Sequence, residues 1–344
     1  MRRRLRRVSI QRGKTGCRTG VTIVEVLIVV AIISILVAIL LPAVQQSRAT
    51  ARKVQCADRL RQIGLAIHNF ESTHHELPGG IKWRIQLLPY LDQQPLYDRL
   101  QGYFDRLPNQ TPKLAAWRLT SGIPAFICPA DLHADREIVS YYGNMGRALE
   151  KWGFDGVIVP PLGPGFYYGA INVPHTQGAV RLADITDGLS NTVAVSEAIS
   201  GQRPGPSSVR ADNVSRLQFL RTFWQTGPDL PTDASFEDRL QYCKTARERG
   251  APSAGGERGW DAWPIVENDG SISLGAIIHG WAYDHALVPN SPSCGGSYWG
   301  FYSATSLHSG GVNALRCDGS AAAFSESVDL GVWRDLASRN RGIN

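Results

Sequence analysis

The sequence predicts an α+β protein in which one long N-terminal helix leads into a β-rich head. Three observations predict it. A nearly unbroken apolar run extends from Val21 to Val44 behind a basic leader. Apolar residues then recur at helical spacing as far as Phe70, and the pattern stops at Leu77-Pro78-Gly79-Gly80. Beyond that point glycine and proline are frequent, helical periodicity is weak and the apolar runs are short.

The leader, residues 1–20, dominates the charge. The 344 residues carry 36 Lys and Arg against 30 Asp and Glu, a formal net charge of +6. Arg2, Arg3, Arg4, Arg6, Arg7, Arg12, Lys14 and Arg18 all lie in the leader, which contains no acid; the remaining 28 cations face 30 acids. The basic balance is therefore a targeting feature. No nucleic-acid motif follows, so no nucleic-acid partner is expected. A cluster of arginines beside an apolar segment holds that end in the cytoplasm.

Residues 21–44 form the predicted membrane part of the helix, interrupted only by Thr22, Glu25, Ser34 and Pro42. About 20 helical residues cross a ~30 Å hydrocarbon core. The run ends Leu40-Leu41-Pro42-Ala43-Val44-Gln45-Gln46, a poor match to the small-residue site of a secretory signal peptide. A carboxylate within such a segment is costly and calls for a partner, which singles out Glu25. Pro42 lacks the N–H that would bond one turn back and permits a kink. Residues 45–75 continue as an amphipathic stalk: Ala57, Leu60, Ile63, Gly64, Ile67 and Phe70 share a stripe, and Arg48, Arg52, Arg59 and Arg61 lie largely off it. The expected helix runs from Val21 to about His74.

The head, residues 76–344, is expected to be one domain. Strand-like runs are Phe126-Ile127-Cys128, Gly156-Val157-Ile158-Val159, Thr192-Val193-Ala194-Val195 and Gly275-Ala276-Ile277-Ile278, each bounded by turn residues. Leu87 to Leu91 and the stretch to Leu100 look locally helical. Residues 201–216 and 244–259, rich in Gly, Pro, Ser and charge, read as surface insertions.

A basic leader ending in Gly20, a short polar step, one glutamate and an apolar helix resemble the type IV prepilin signal shared by pilins and the pseudopilins of type II secretion. The resemblance implies cleavage between Gly20 and Val21 by a prepilin peptidase and methylation of the new N-terminus at Val21. Glu25 becomes the fifth mature residue, which in pilins pairs with a neighbouring subunit's N-terminal amine. Pro42 matches a proline common at mature position 22. Two positions depart from the pattern: Val21 stands where Phe or Met is usual, and Thr19 where Lys or Arg is common.

Six further signatures occur in order. They are Cys56 with Leu60-Arg61-Gln62-Ile63-Gly64 through Phe70, Leu88-Pro89-Tyr90-Leu91-Asp92-Gln93, Phe126-Ile127-Cys128-Pro129, and Ser140-Tyr141-Tyr142-Gly143-Asn144. Next is Ile185-Thr186-Asp187-Gly188-Leu189-Ser190-Asn191-Thr192 running to Glu197, and last His308 followed after nine residues by Asp318-Gly319-Ser320. Together they resemble the DUF1559 family of planctomycete-type bacteria, whose H-X9-DG signature is described as prepilin-processing-associated. The resemblance implies architecture more than activity.

Three constellations are candidates for chemistry. His308 and Asp318 can be read as an acid–base or metal pair. The competing reading, which is the favoured one, is a hairpin, because Asp318-Gly319 is a turn signal between Val312–Cys317 and Ala321–Phe324. The oxygens of Asp184, Asp187 and Asn191 suit calcium, and some pseudopilin heads carry a calcium site. A turn with Asx-type bonds explains the same residues and is the favoured reading. Five cysteines remain outside the leader and the membrane run: Cys56, Cys128, Cys243, Cys294 and Cys317. One or two disulfides with a free thiol are expected. Cys56 with Cys128 and Cys294 with Cys317 are pairings the order allows, and the sequence does not choose among the alternatives. Local Cys and His spacing supports no zinc site. A Cys317–His308 nucleophile lacks support. Trp260, Trp263, Trp281 and Trp299 can line a sugar groove or pack a core.

The expected function is that of a pseudopilin-like structural subunit, not an enzyme. It needs no cofactor beyond a calcium ion at most. Its partners are prepilin peptidase, other pilin-like subunits and the inner membrane, crossed once with the N-terminus cytoplasmic and the head periplasmic or in an extracytoplasmic filament. The alternative is a membrane-anchored periplasmic solute- or glycan-binding protein. A tethered enzyme built on His308 and Asp318 ranks last, because no complete catalytic set is visible.

Overall fold

The structure is a computed structural model and describes residues 22–80, 83–106, 123–131, 139–147, 154–159, 167–168, 171–172, 179–199, 222–224, 230, 234–249, 252–257, 282–295 and 300–341. The chain divides into two compact units, Met1–Arg48 and Ala49–Asn344. Helix α1 (Ile23–His74) has 52 residues and contains Pro42.

In the first unit, α1 starts at a reciprocal cap. Glu25 Oε2 accepts from the Thr22 N–H at 2.8 Å and from Thr22 Oγ1 at 3.0 Å, while Thr22 Oγ1 accepts from the Glu25 N–H at 3.3 Å. Two of the N–H groups that a helix start leaves unpaired are satisfied in this way. Ser34 Oγ donates to the Val30 carbonyl at 2.7 Å, so this hydroxyl is satisfied within the helix. The large apolar residues from Ile23 to Val44 are exposed all round the helix. By length and composition this segment can span a membrane. Gly20 and Val21, and the leader before them, lie outside the described residues.

In the second unit the elements follow in order: α2 (Trp83–Gln86), α3 (Gln94–Arg106), β1 (Tyr141–Asn144), β2 (Tyr167–Tyr168), β3 (Ile171–Asn172), β4 (Val193–Glu197), β5 (Thr222–Trp224), α4 (Phe236–Arg249), β6 (Pro252–Glu257), β7 (Ala282–Tyr283), β8 (Ser293–Gly295), β9 (Gly300–Phe301), β10 (Gly311–Arg316), β11 (Ala321–Ser325) and α5 (Leu330–Asp335). A five-stranded sheet has the order β11-β10-β4-β1-β7. Its β1–β4, β4–β10 and β10–β11 pairs are antiparallel and β1–β7 is parallel. The second sheet has the order β6-β5-β8-β9, and β2 pairs with β3.

The main core joins the far half of α1 to the first sheet. Cys56, Leu60, Ile63, Ala66, Ile67 and Phe70 are buried with Tyr141, Val193, Val195, Val312 and Leu315. The exposed positions Arg61 and Leu65 face away from this stripe, as an amphipathic helix requires. A side chain at Gly64 would not fit: its Cβ would lie 2.8 Å from Leu315 Cδ1 and 3.3 Å from Gly319 Cα. This glycine lets the helix backbone approach the β10–β11 hairpin.

Several sequence expectations need correction. Phe126-Ile127-Cys128 is not a strand; Pro124–Phe126 form a 3₁₀ turn, after which the chain is extended. Gly156 to Val159 are buried but bent, because their amides clamp the end of β1: Gly156 N–H donates to Met145, and the Val157 and Ile158 N–H groups both donate to Asn144. Residues 244–259 are not a plain insertion, since α4 runs to Arg249 and β6 pairs with β5. Backbone pairing requires no apolar pattern, which is why Pro252-Ser253-Ala254-Gly255-Gly256-Glu257 gave no strand signal. The run Gly275–Ile278, residues 201–216 and Trp260, Trp263, Trp281 and Trp299 lie outside the described residues. The helical reading of Leu87 to Leu100 agrees with the 3₁₀ turn Leu88–Leu91 and with α3.

Candidate functional site

Strand β4 lies in the middle of the five-stranded sheet, and all five of its residues are buried. Four of them are small or apolar; the last is Glu197, 2% exposed. A carboxylate in that position needs donors to offset its lost hydration. Asn313 on β10 supplies two: its backbone N–H donates to Oε2 at 2.9 Å and its Nδ2 to Oε1 at 2.8 Å. His308 Nε2 lies 3.3 Å from Oε1, and both side chains are buried.

The same Nε2 lies 3.6 Å from Cys128 Sγ, and that sulfur is 3.9 Å from Glu197 Oε1. Cys128 is disulfide-bonded to Cys56, 72 residues away on α1. Several bonds hold the two cysteines in place. Tyr141 OH donates to the Cys56 carbonyl at 3.1 Å, Ser140 N–H donates to the Phe126 carbonyl at 2.7 Å, and Arg59 donates to the Ile127 carbonyl. Tyr141 is also the register partner of Glu197 between β1 and β4. Burial, reinforced by the Glu197 charge and opposed by Arg59, pushes the Tyr141 phenol well above its ordinary range. The phenol is therefore a fixed donor at any ordinary pH.

Four groups with ligand or acid–base chemistry thus converge at the Glu197 end of the central strand. The nearest ligand atoms of Cys56, Cys128, Glu197 and His308 all lie within 4.8 Å of one another. The arrangement sets an imidazole against a carboxylate. With its sulfurs reduced, it can also hold a metal ion.

The opposite ends of β4 and β10 gather the other signature residues. Asp318 N–H donates to the Leu189 carbonyl at 3.1 Å and Cys317 N–H to the Thr192 carbonyl at 2.8 Å. Ser320 N–H donates to Asp318 Oδ1 at 2.8 Å, and Gly319 takes φ +85°, a left-handed conformation that favours glycine. Asp318 and Gly319 therefore build the hairpin turn. His308 and Asp318 do not form a pair, because the six residues of β10 stand between them. At ~3.4 Å per residue that separation is roughly 20 Å. The same strand separates His308 from Cys317. Burial, with the nearby Asp318 charge, pushes the Cys317 thiol far above its ordinary range and leaves it a poor nucleophile.

The candidate calcium residues have protein partners. Asp184 accepts from Arg181, which holds its carboxyl below the usual range through that hydrogen bond. Asp187 accepts from the Arg341 N–H at 2.9 Å, and Asn191 Nδ2 donates to the Asp187 carbonyl at 3.2 Å. The second disulfide joins Cys243 to Cys294 and not Cys294 to Cys317. The reason is topological: Cys294 is on β8 in the second sheet, whereas Cys317 closes β10 in the first and remains a buried free thiol.

Sequence reasoning did not assign Glu197 or Asn313 a role. The available signal was a carboxylate ending an apolar strand-like run. A family model described as "Protein of unknown function (DUF1559)" matches residues 45–331. Neither the curated proteins nor the solved structures contain a match to the chain.

Proposed function

The chain belongs to the DUF1559 family, and on that premise we propose that it is a pseudopilin-like structural subunit, processed by a prepilin peptidase and assembled through its N-terminal helix. The observation that carries this reading is the first unit, nearly all of which lies ahead of the family match. From Ile23 to Val44, α1 is apolar and exposed around its whole circumference, with its one carboxylate in the first turn. So large a contiguous apolar surface needs lipid or other copies of the same helix to cover it.

Glu25 provides the registration. In the single chain its carboxylate is occupied by Thr22 of its own cap. Cleavage after Gly20 would create an ammonium at Val21, a stronger donor for a carboxylate than a neutral amide. A neighbouring subunit that offers that ammonium to Glu25 pairs two charges which are otherwise costly in the bilayer. The leader arginines keep the uncut end cytoplasmic, which puts the head outside the inner membrane, in the periplasm or a filament of a type II secretion or type IV pilus-like system. This role is structural and asks no catalysis of the head.

The test is Glu25→Ala in the full chain. The variant is expected to be cut to a chain beginning at Val21 but to be missing from cross-linked or sheared assemblies. Normal incorporation of the variant would refute the assembly role. A head that stays monomeric and binds a sugar or solute saturably would favour an anchored binding protein.

A further inference from the structure

We propose that Cys56, Cys128, Glu197 and His308 form a redox-gated zinc site, which binds the ion when the Cys56–Cys128 disulfide is reduced and releases it when the disulfide closes. The inference rests on the head alone and does not depend on filament assembly.

The distances carry the argument. Tetrahedral zinc holds thiolate sulfur at about 2.3 Å and imidazole nitrogen or carboxylate oxygen at about 2.0–2.1 Å. Those bond lengths set the edges of the tetrahedron at roughly 3.3 Å for nitrogen to oxygen and about 3.5 Å for sulfur to either. The His308 Nε2 to Glu197 Oε1 separation is 3.3 Å, Cys128 Sγ to His308 Nε2 is 3.6 Å, and Cys128 Sγ to Glu197 Oε1 is 3.9 Å. Three donors therefore already stand close to zinc spacing. The fourth, Cys56 Sγ, is bonded to Cys128 Sγ and becomes a ligand when that bond opens, two thiolates on one zinc lying about 3.8 Å apart.

The surroundings suit the ion. Asn313 grips both oxygens of Glu197, an outer-shell contact of the kind that orients a ligating carboxylate. The two thiolates and the carboxylate bring three negative charges to a dication, with His308 neutral. The mixed sulfur, nitrogen and oxygen set selects a borderline-soft ion over calcium or magnesium. All four residues are buried, so a bound ion would be shielded from water.

The gating step is thiol–disulfide exchange. A dithiol reductant attacks the Cys56–Cys128 bond, two electrons pass to the pair, and the reductant leaves as its own disulfide. Two thiols result. Zinc binding then displaces their two protons to solvent. Reoxidation by a disulfide oxidant removes both thiolate ligands together and expels the ion.

The test uses the full-length protein in detergent, reduced with a phosphine, with Co²⁺ and Zn²⁺ as probes. One Co²⁺ per chain with tetrahedral ligand-field bands and a thiolate charge-transfer band is expected after reduction, and none in the oxidised protein. The bands should disappear in His308→Ala and persist in the double variant Cys243→Ser/Cys294→Ser. Asn313→Ala should bind ~10- to 100-fold more weakly. X-ray absorption of the zinc-loaded wild type reads the ligands without any variant: two sulfur and two nitrogen or oxygen neighbours support the site, and any other set refutes it. Equal binding by the oxidised protein, bands that survive His308→Ala, or no binding after reduction would each overturn the proposal.

Discussion

His285 is wholly buried, with its ring stacked 3.9 Å from Trp333. Its Nδ1 lies 2.6 Å from the Trp333 carbonyl and must carry the proton; its Nε2 accepts from Tyr283 OH at 2.9 Å. The neutral ring satisfies both nitrogens. Burial lowers its pKa to about 3, against a weaker opposite pull from the Trp333 carbonyl. In the unfolded chain the ring protonates near pH ~6.5. Between those values the unfolded state holds a proton that the native state lacks, so stability falls as the pH falls, by at most ~1.4 kcal/mol per unit. Above pH ~6.5 the residue contributes no slope. Denaturant midpoints of the wild type and His285→Gln should diverge less at pH 5 than at pH 7. A constant difference over that range would show that His285 does not carry the slope. Glu197 is the contrasting residue: it is a buried carboxylate that accepts two hydrogen bonds from Asn313, with His308 Nε2 beside it.

At the scale of elements, α1 and the β10–β11 hairpin are fitted to each other. Gly64 sits where any Cβ would press on the buried Leu315 side chain and on the Gly319 backbone. Gly64→Val should therefore lower stability by roughly 1–3 kcal/mol through overpacking. Leu65→Val, at an adjacent position that is 65% exposed, should have little effect when measured by the same thermal or denaturant midpoint. Equal losses in the two variants would mean that the helix does not pack as described. The Cys56–Cys128 disulfide adds a covalent tie to this docking. It closes 72 residues, and converting both cysteines to serine should cost about 4 kcal/mol in the chain-entropy account. That loss should be larger than for the Cys243–Cys294 pair, which closes 51 residues, although the two loops differ by only a few tenths of a kcal/mol on the same scale. The stripe from Leu60 to Phe70 was legible in the sequence because helix periodicity is local. The strand β6 was not, because its pairing partner and not its composition makes it a strand.

At the scale of the whole molecule, the proposed membrane location rests on the first unit. The leader carries eight cations and no acid, and the following segment is apolar enough to span a bilayer. The protein should remain in the membrane fraction through high salt and alkaline washes and enter solution only with detergent. Intact-mass and N-terminal peptide analysis of the extracted protein should find a chain beginning at Val21 with one added methyl. A chain beginning at Met1 would make the segment a plain anchor and remove the basis for assembly.

The sequence by itself determined the long helix, its change from apolar all round to amphipathic, the hairpin at Asp318-Gly319 and the family. The first three are written in neighbouring residues, as hydropathy over one span, a period of 3.6 or a turn dipeptide, and the family is written in the order of six short signatures. Tertiary structure alone decided that Cys294 pairs with Cys243 and that His308 meets Glu197 and not Asp318. The four-residue cluster is the extreme case, with Cys128 lying 69 positions from Glu197 and 180 from His308. Which side chains share a buried site depends on which strands pair and in what register, and that is set by burial across the whole core.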